Sequence, residues 1–178
     1  MEVKGFITNL GKYNEGELIG KWITFPIDEE EELQTILKDI GCCYEDEDGN
    51  IYNSEYEEFF FTDWECDFEH GFEEYESIEH INEIAETLED WDEDTFAAAC
   101  EIWGFDEVVN NECDNYNLYS DINDDYDLGY YWIVESGCYD LNNMGNLANY
   151  IDYEAFGRDV AIESNGGFSA YGWIEYVG

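Results

Sequence analysis

Residues 44–55, YEDEDGNIYNSE, set carboxylates at spacings that could hold a calcium ion. With Gly49 as the sixth residue of such a loop, Asp46 and Asp48 fall third and fifth, Ile51 eighth and Glu55 twelfth. The first ligand position is Tyr44, however, and the residues after Glu55 read as strand rather than exit helix, so the expectation is a polar turn. Cys66 and His70, four apart, would make half a zinc site on a helix, but no second pair follows at ligand spacing. Carboxylate pairs suited to acid–base chemistry occur everywhere, and for that reason none stands out. His70 and His80 lie in acidic surroundings with no serine or cysteine partner in a nucleophile motif, and both are read as exposed. No GxGxxG or phosphate-cradling loop is present. The residues therefore lead to no catalytic group, no metal and no cofactor. The six cysteines, Cys42, Cys43, Cys66, Cys100, Cys113 and Cys138, contain no CxxC pair and are expected as free thiols, several of them buried.

What remains is charge. The chain carries 47 Asp and Glu against 5 Lys and Arg, a formal charge of -42 over 178 residues. Its lysines, Lys4, Lys12, Lys21 and Lys38, all lie near the N-terminus, and the lone arginine is Arg158. Charge this one-sided accompanies disorder when aromatics are scarce, but here 18% of residues are aromatic and 44% hydrophobic, so a folded protein with an anionic skin is expected. The conflict is sharpest in EYEEFFFTDWECDFEHGFEEYE, residues 55–76, where aromatic rings that must be buried alternate with carboxylates that repel one another.

Duplex DNA carries one charge per roughly 1.7 Å, so this charge equals that of about 70 Å of duplex, or some 20 base pairs. The acids expected to stand where phosphates would are Glu57, Glu58, Asp63, Glu65, Asp67, Glu69, Glu73, Glu74 and Glu76 in the aromatic stretch, then Glu79, Glu83, Glu86 and Asp90. Asp92, Glu93, Asp94, Asp124, Asp125 and Asp127 complete the set. On composition alone the competing reading is a generically acidic surface of the salt-adapted kind.

The elements that must carry these acids can be read from periodicity. Residues 2–8 and 17–25 read as strands around a turn-rich loop, followed by a helix whose stripe is Leu33, Ile36, Leu37 and Ile40. A third strand is expected near residues 56–64. Ser77 is placed to cap a helix with Ile78, Ile81, Ile84, Ala85, Leu88 and Trp91 on one face, and Glu79, Glu83, Glu86 and Asp90 on the other. A shorter helix is expected from Asp94 to Trp103, stopped by Gly104. Beyond Cys113 the pattern predicts a strand over 115–122, a helix over 124–136, a helix over 147–156 ended by Gly157, and a final strand over 166–177. The fold class is thus α+β, arranged as an elongated row of three small domains: a mixed domain at 1–75, a helical one at 76–112, and a mixed one at 113–178. The opening MEVKGFITNL lacks the apolar run of a signal peptide and no stretch approaches a membrane span, so a cytoplasmic location and no membrane partner are expected.

Two blocks add a family resemblance. NLGKYNEGELIGKWITFP, residues 9–26, through Asn9, Leu10, Tyr13, Asn14, Gly16, Leu18, Gly20 and Trp22, resembles the opening block of the ArdA antirestriction proteins. LANYIDYEAFGRD, through Leu147, Asn149, Tyr150, Asp152, Tyr153, Arg158 and Asp159, resembles their C-terminal signature. The resemblance implies a non-enzymatic, three-domain DNA mimic of mobile genetic elements that does not itself bind nucleic acid. Such a protein dimerises through its C-terminal region and occupies the DNA-binding groove of the methyltransferase core of type I restriction-modification enzymes. Within the signature a structural or dimer role is preferred to target contact, because Leu147, Tyr150 and Ile151 would share one helical face, and Arg158 is expected in an internal salt bridge. The rival readings are a mimic aimed at another nucleic-acid enzyme, such as a CRISPR effector or a chromosomal DNA-binding protein, and an acidic chaperone for a basic partner.

Overall fold

The first sheet is antiparallel in the order β2-β1-β5, formed by β1 (Val3–Asn9), β2 (Gly20–Phe25) and β5 (Phe59–Cys66). A computed structural model describes residues 1–28, 30–68 and 72–178. Alternation along β1 buries Val3, Gly5 and Ile7 on one face. In β5 the register slips between Phe6 and Ile7 of β1, which pair with Asp63 and Phe61, leaving Thr62 as the extra residue. The slip shifts the alternation by one, so Phe61 and Trp64, three apart, face the same side and their rings meet at 4.5 Å. Both lie over Gly5, where a Cβ would sit 2.8 Å from the Trp64 ring and 2.9 Å from Phe61. This aromatic layer, extended by Phe25 and Phe72, is what the stretch at 55–76 buries, at roughly 1.5–3 kcal/mol per fully buried ring.

The loop expected between the first two strands holds a short helix, α1 (Leu10–Asn14), because buried Asn9 caps it by accepting from the Lys12 N–H at 2.9 Å. The other end of that side chain donates to the carbonyls of Ile40 and Tyr56, at 3.1 and 3.3 Å, tying three segments together. Helix α2 (Glu31–Asp39) follows, with Ile36 buried. The hairpin of β3 (Cys43–Glu45) and β4 (Ile51–Asn53) then closes on a polar turn. There Asp46 Oδ1 accepts from the N–H groups of Asp48 and Asn50, each at 2.9 Å. The carboxylate that a calcium loop would use is thus engaged by its own turn, as the polar-turn reading expects. All six cysteines are free, Cys42 and Cys43 being buried.

Helix α3 (Ile78–Glu89) begins where Ser77 Oγ accepts from the His80 N–H at 3.1 Å. It buries Ile78, Ile81, Ile84, Ala85 and Leu88 as its period requires. A sixth buried residue, Asn82, was not expected. Its amide exchanges two hydrogen bonds of 2.9 Å with the N–H and C=O of Ile27, just beyond β2, and so pins the helix to the first sheet's edge.

By their own contacts the residues divide into two units, Met1–Asp90 and Trp91–Gly178. The division falls inside the expected helical domain of 76–112. Helix α3 goes with the first sheet, through Asn82, while Trp91 leaves the α3 face and packs against Phe96 and Tyr116 of the second unit. There α4 (Glu93–Trp103), capped by Asp92 and ended at Gly104, buries Phe96, Ala98 and Ala99; the short α5 (Phe105–Val108) follows. The second sheet runs β6-β8-β7, from β6 (Tyr116–Tyr119), β7 (Gly166–Ser169) and β8 (Gly172–Tyr176). The last two form a hairpin where one strand over 166–177 was expected, because Gly172, at φ +125°, turns the chain. Ile122, Leu128 and Trp173 form the core here, flanked by Tyr119, Tyr131, Val160 and Phe168.

Helix α6 (Asp125–Tyr130) continues into a π-helical turn at Tyr131–Glu135, and α7 (Tyr153–Glu163) lies against it. The expected helix over 147–156 is corrected in both position and end. Residues Leu141–Tyr150 are 3-10 turns broken at Gly145, and Asp152 starts α7 by accepting from the Ala155 N–H at 3.0 Å. Gly157 lies inside that helix because its lack of a side chain lets the backbones of α6 and α7 touch. A Cβ on Gly157 would strike the Asp125 carbonyl and stand 2.7 Å from the Gly129 nitrogen. The fold class is as expected, mixed α and β with small antiparallel sheets.

Candidate functional site

The candidate acids occupy three local settings. In the aromatic stretch, Glu57, Glu58, Asp63, Glu65, Asp67, Glu73 and Glu74 are exposed while Phe60, Phe61 and Phe72 are buried; Glu76 is half-buried. Glu69 and His70 lie outside the described residues. On α3, Glu79, Glu83 and Glu86 are exposed opposite the buried stripe, with Asp90 exposed at the C-cap. At a rise of 1.5 Å per residue these four recur every ~4.5 to 6 Å along the axis. The third setting is helix N-termini. Asp92, Glu93 and Asp94 open α4, and Asp124, Asp125 and Asp127 open α6, where the helix dipole favours negative charge.

Among the described residues the lysines neutralise only their near neighbours. Lys4 pairs with Glu2 at 2.8 Å and Glu65 at 3.6 Å, Lys12 with Glu15 at 2.9 Å, Lys21 with Asp39 and Lys38 with Glu45 at 2.7 Å each. Hydrogen bonds from Tyr56 and then Lys12 hold the Glu15 carboxyl below its usual range, and Glu45 pushes the Lys38 ammonium up. Among the described candidates only Glu65 has a lysine within reach, and His80 stands 3.9 Å from Glu83. From Asp39 to Gly157 the sequence holds no Lys or Arg, and among the described candidates all but Glu76, Asp125 and Asp127, which are half-buried, stand exposed.

Several candidates also do structural work. Hydrogen bonds from the Thr95 hydroxyl and then its N–H hold the Asp92 carboxyl below its usual range. Asp124 accepts from the Asp127 N–H at 3.0 Å, Asp127 from the Asn123 N–H at 3.2 Å, and Asp67 from the Glu2 N–H at 2.8 Å. An aspartate just ahead of an apolar-periodic run is an N-cap signal, so the roles of Asp92 and Asp124 were readable in the sequence. Asn82 gave no such signal, nor did the bonds that Asn9 donates to Ile40 and Tyr56, since those partners are distant in the chain.

The C-terminal signature is placed differently from expectation. Leu147 and Tyr150 are 68% and 84% exposed, because the 3-10 turns that carry them do not seat them in the core. Asp152 caps α7, and Tyr153 packs edge-on against Tyr126 and Tyr130, with ring centroids at 5.7 and 5.4 Å. Asn149, Arg158 and Asp159 are exposed. Arg158 has no carboxylate within 4.0 Å among the described residues, so the expected internal salt bridge is not formed.

The chemistry that the exposed carboxylates can do is electrostatic. Among the described residues no group of three or more His, Cys, Asp and Glu could hold a metal, and no helix is long and apolar enough to cross a membrane. The depression lined by Pro26, Ile27, Asp28, Glu30, Asn82 and Glu86 is open to solvent rather than a water-excluding cleft. Burial pushes the Cys42, Cys66 and Cys100 thiols up to about 11, which keeps them protonated and poor as nucleophiles. Compared with known proteins, residues 6–175 match the model of a family described as antirestriction protein (ArdA). No curated protein matches the chain.

Proposed function

From the premise that the chain belongs to the ArdA antirestriction family, we propose that it occupies the DNA-binding groove of a type I restriction-modification enzyme and thereby spares incoming unmodified DNA. The family is one of antirestriction proteins, which inhibit rather than catalyse, and antirestriction implies a restriction enzyme as partner. The observation that carries the finer reading is the set of exposed carboxylates with no lysine within reach among the described residues: Asp63 on β5, Glu79, Glu83 and Glu86 on the outer face of α3, and Asp92, Glu93, Asp94 and Asp124 at the starts of α4 and α6. A groove built to hold phosphates offers lysines and arginines in register, and these acids meet them in place of the DNA backbone. Because the contacts are many and each is screened, inhibition is spread over the surface rather than lodged in one residue.

Restriction acts on DNA entering a cell, so the site of action is the cytoplasm, and the protein works as a pair of copies. The test is transfer of an unmodified plasmid into hosts carrying type I, type II or no restriction, with and without this protein. Rescue confined to the type I hosts is the expected result. Equal transfer loss with and without the protein would remove the proposal, and rescue in type II hosts alone would redirect it to another enzyme.

A further inference from the structure

The hairpin of β3 and β4 has two unlike faces. Toward α2 it turns Cys43, buried with its Sγ donating to the Gln34 carbonyl at 3.9 Å, and Glu45, which pairs with Lys38 at 2.7 Å. Alternation sends Tyr44 and its cross-strand partner Tyr52 to the opposite face, where they are 55% and 46% exposed. Their rings stack on each other at 5.6 Å and 22°. Two flat rings left half in water keep much of their capacity for contact. Hydrogen bonds from Asn50 first, and in smaller part from the Tyr52 hydroxyl, hold the carboxyl of Asp46, in the adjoining turn, below its usual range. The same unit shows what such a set can hold. Lys12 Nζ lies 4.2 Å from the centroid of the Tyr56 ring, the Tyr56 hydroxyl donates to Glu15 at 2.6 Å, and Glu15 pairs with Lys12 at 2.9 Å. The hairpin repeats the ring and the hydroxyl-bound carboxylate. Its neighbouring base, Lys38, is taken by Glu45, and among the described residues no cation lies over Tyr44 or Tyr52.

We propose that the outer face of this hairpin docks an arginine side chain of the partner protein, its guanidinium stacked on the Tyr44–Tyr52 pair beside the acids of the turn. That the occupant is a cation follows from charge. Glu47 and Asp48 stand exposed at the hairpin tip, in a chain of charge -42 that holds no base from Asp39 to Gly157. That it is arginine follows from shape and hydration. A guanidinium is planar and weakly hydrated, so it lies flat on a ring, whereas an ammonium is compact and holds its water. The inference rests on the reading that the partner offers a groove of lysines and arginines, and it deepens that reading. Carboxylates attract either cation and are screened by salt, while the ring pair selects arginine and is screened much less.

The test is an NMR titration of the full chain with two peptides of equal charge, four Arg-Gly repeats and four Lys-Gly repeats, at two salt concentrations. The arginine peptide is expected to bind about two- to fivefold more tightly and to shift the ring protons of Tyr44 and Tyr52. Raising the salt should weaken both peptides while the ratio between them persists. Tyr44→Thr with Tyr52→Thr keeps residues suited to a strand and should lower the ratio toward one. Tyr44→Phe with Tyr52→Phe keeps both rings and should retain it. Equal affinity for the two peptides, tyrosine ring protons unmoved by the arginine peptide, or a ratio unchanged in the threonine variant would each overturn the proposal. In a titration of restriction activity the threonine variant should need about two- to fivefold more protein for half-inhibition. An unchanged requirement there would overturn the docking alone, whereas wild-type protein that inhibits no restriction enzyme would remove the antirestriction reading and leave the peptide preference standing.

Discussion

Neutralising the acidic stripe of α3 tests how the inhibition is distributed. Glu79, Glu83, Glu86 and Asp90 are exposed opposite the buried face, and no lysine pairs with any of them among the described residues. Changing them to Gln and Asn therefore removes charge without removing packing. If each acid replaces one phosphate contact, its worth is that of a screened surface ion pair, ~0.2 to 1 kcal/mol. Glu83→Gln alone should then weaken inhibition by no more than about fivefold, and the quadruple variant by ~1 to 4 kcal/mol, or about fivefold to several hundredfold. Relief of repulsion should leave the fold as stable as before or slightly more so. The assay is a titration of restriction activity by purified variants at two salt concentrations, and the gap between variant and wild type should narrow as salt rises. A single amide change that abolished inhibition in a folded protein would refute distributed contact and require a local site.

Three further outcomes concern the frame that holds the acids. Gly157→Ala should destabilise by ~1 to 3 kcal/mol in denaturant unfolding, because the new methyl meets backbone of α6 that cannot rotate away; a gain of up to ~1 kcal/mol, the helix-propensity benefit of alanine, would mean that the two helices are not in contact. Asn82→Leu strands the N–H and C=O of Ile27 and should cost ~2 to 5 kcal/mol, with Asn82→Asp falling between because it keeps the acceptor and loses the donor. Asp92→Ala should cost ~1 kcal/mol and Asp92→Asn much less at neutral pH. Since the Asp92 carboxyl is held below its usual range when folded, its charged-state contribution is complete above the unfolded value near 4 and is lost as pH falls through the lower folded value, so the Asp92→Ala deficit should shrink only in that acid window.

What was legible in the sequence followed local rules. The α3 stripe, its Ser77 cap and the Gly104 stop depend on residues within a few positions of each other, and so do the exposed acids between buried rings in β5. What was not legible depends on partners far along the chain. Gly157 looked like a helix end because glycine ends helices more often than it lines a crossing, and only the position of Gly129 shows which applies. Trp91 continued the α3 period by spacing, yet Asp90 is the C-cap and the ring packs at a tilt against Tyr116. The acids were identified as a class, without separating those that face solvent, such as Glu79, from those that also cap helices, such as Asp92 and Asp124, although an aspartate ahead of an apolar run carries that signal. Arg158 was read as an internal partner because of the acid around it, whereas its side chain is left to solvent.

The most direct test of the central claim is competition at the enzyme itself. Purified type I restriction-modification enzyme is bound to a labelled duplex carrying its recognition sequence, and this protein is added while free and bound DNA are resolved by mobility shift. Mimicry predicts that the protein releases the DNA, that excess unlabelled duplex reverses the release, and that the apparent affinity of the protein falls as salt is raised. A stable complex holding enzyme, DNA and this protein together would contradict it.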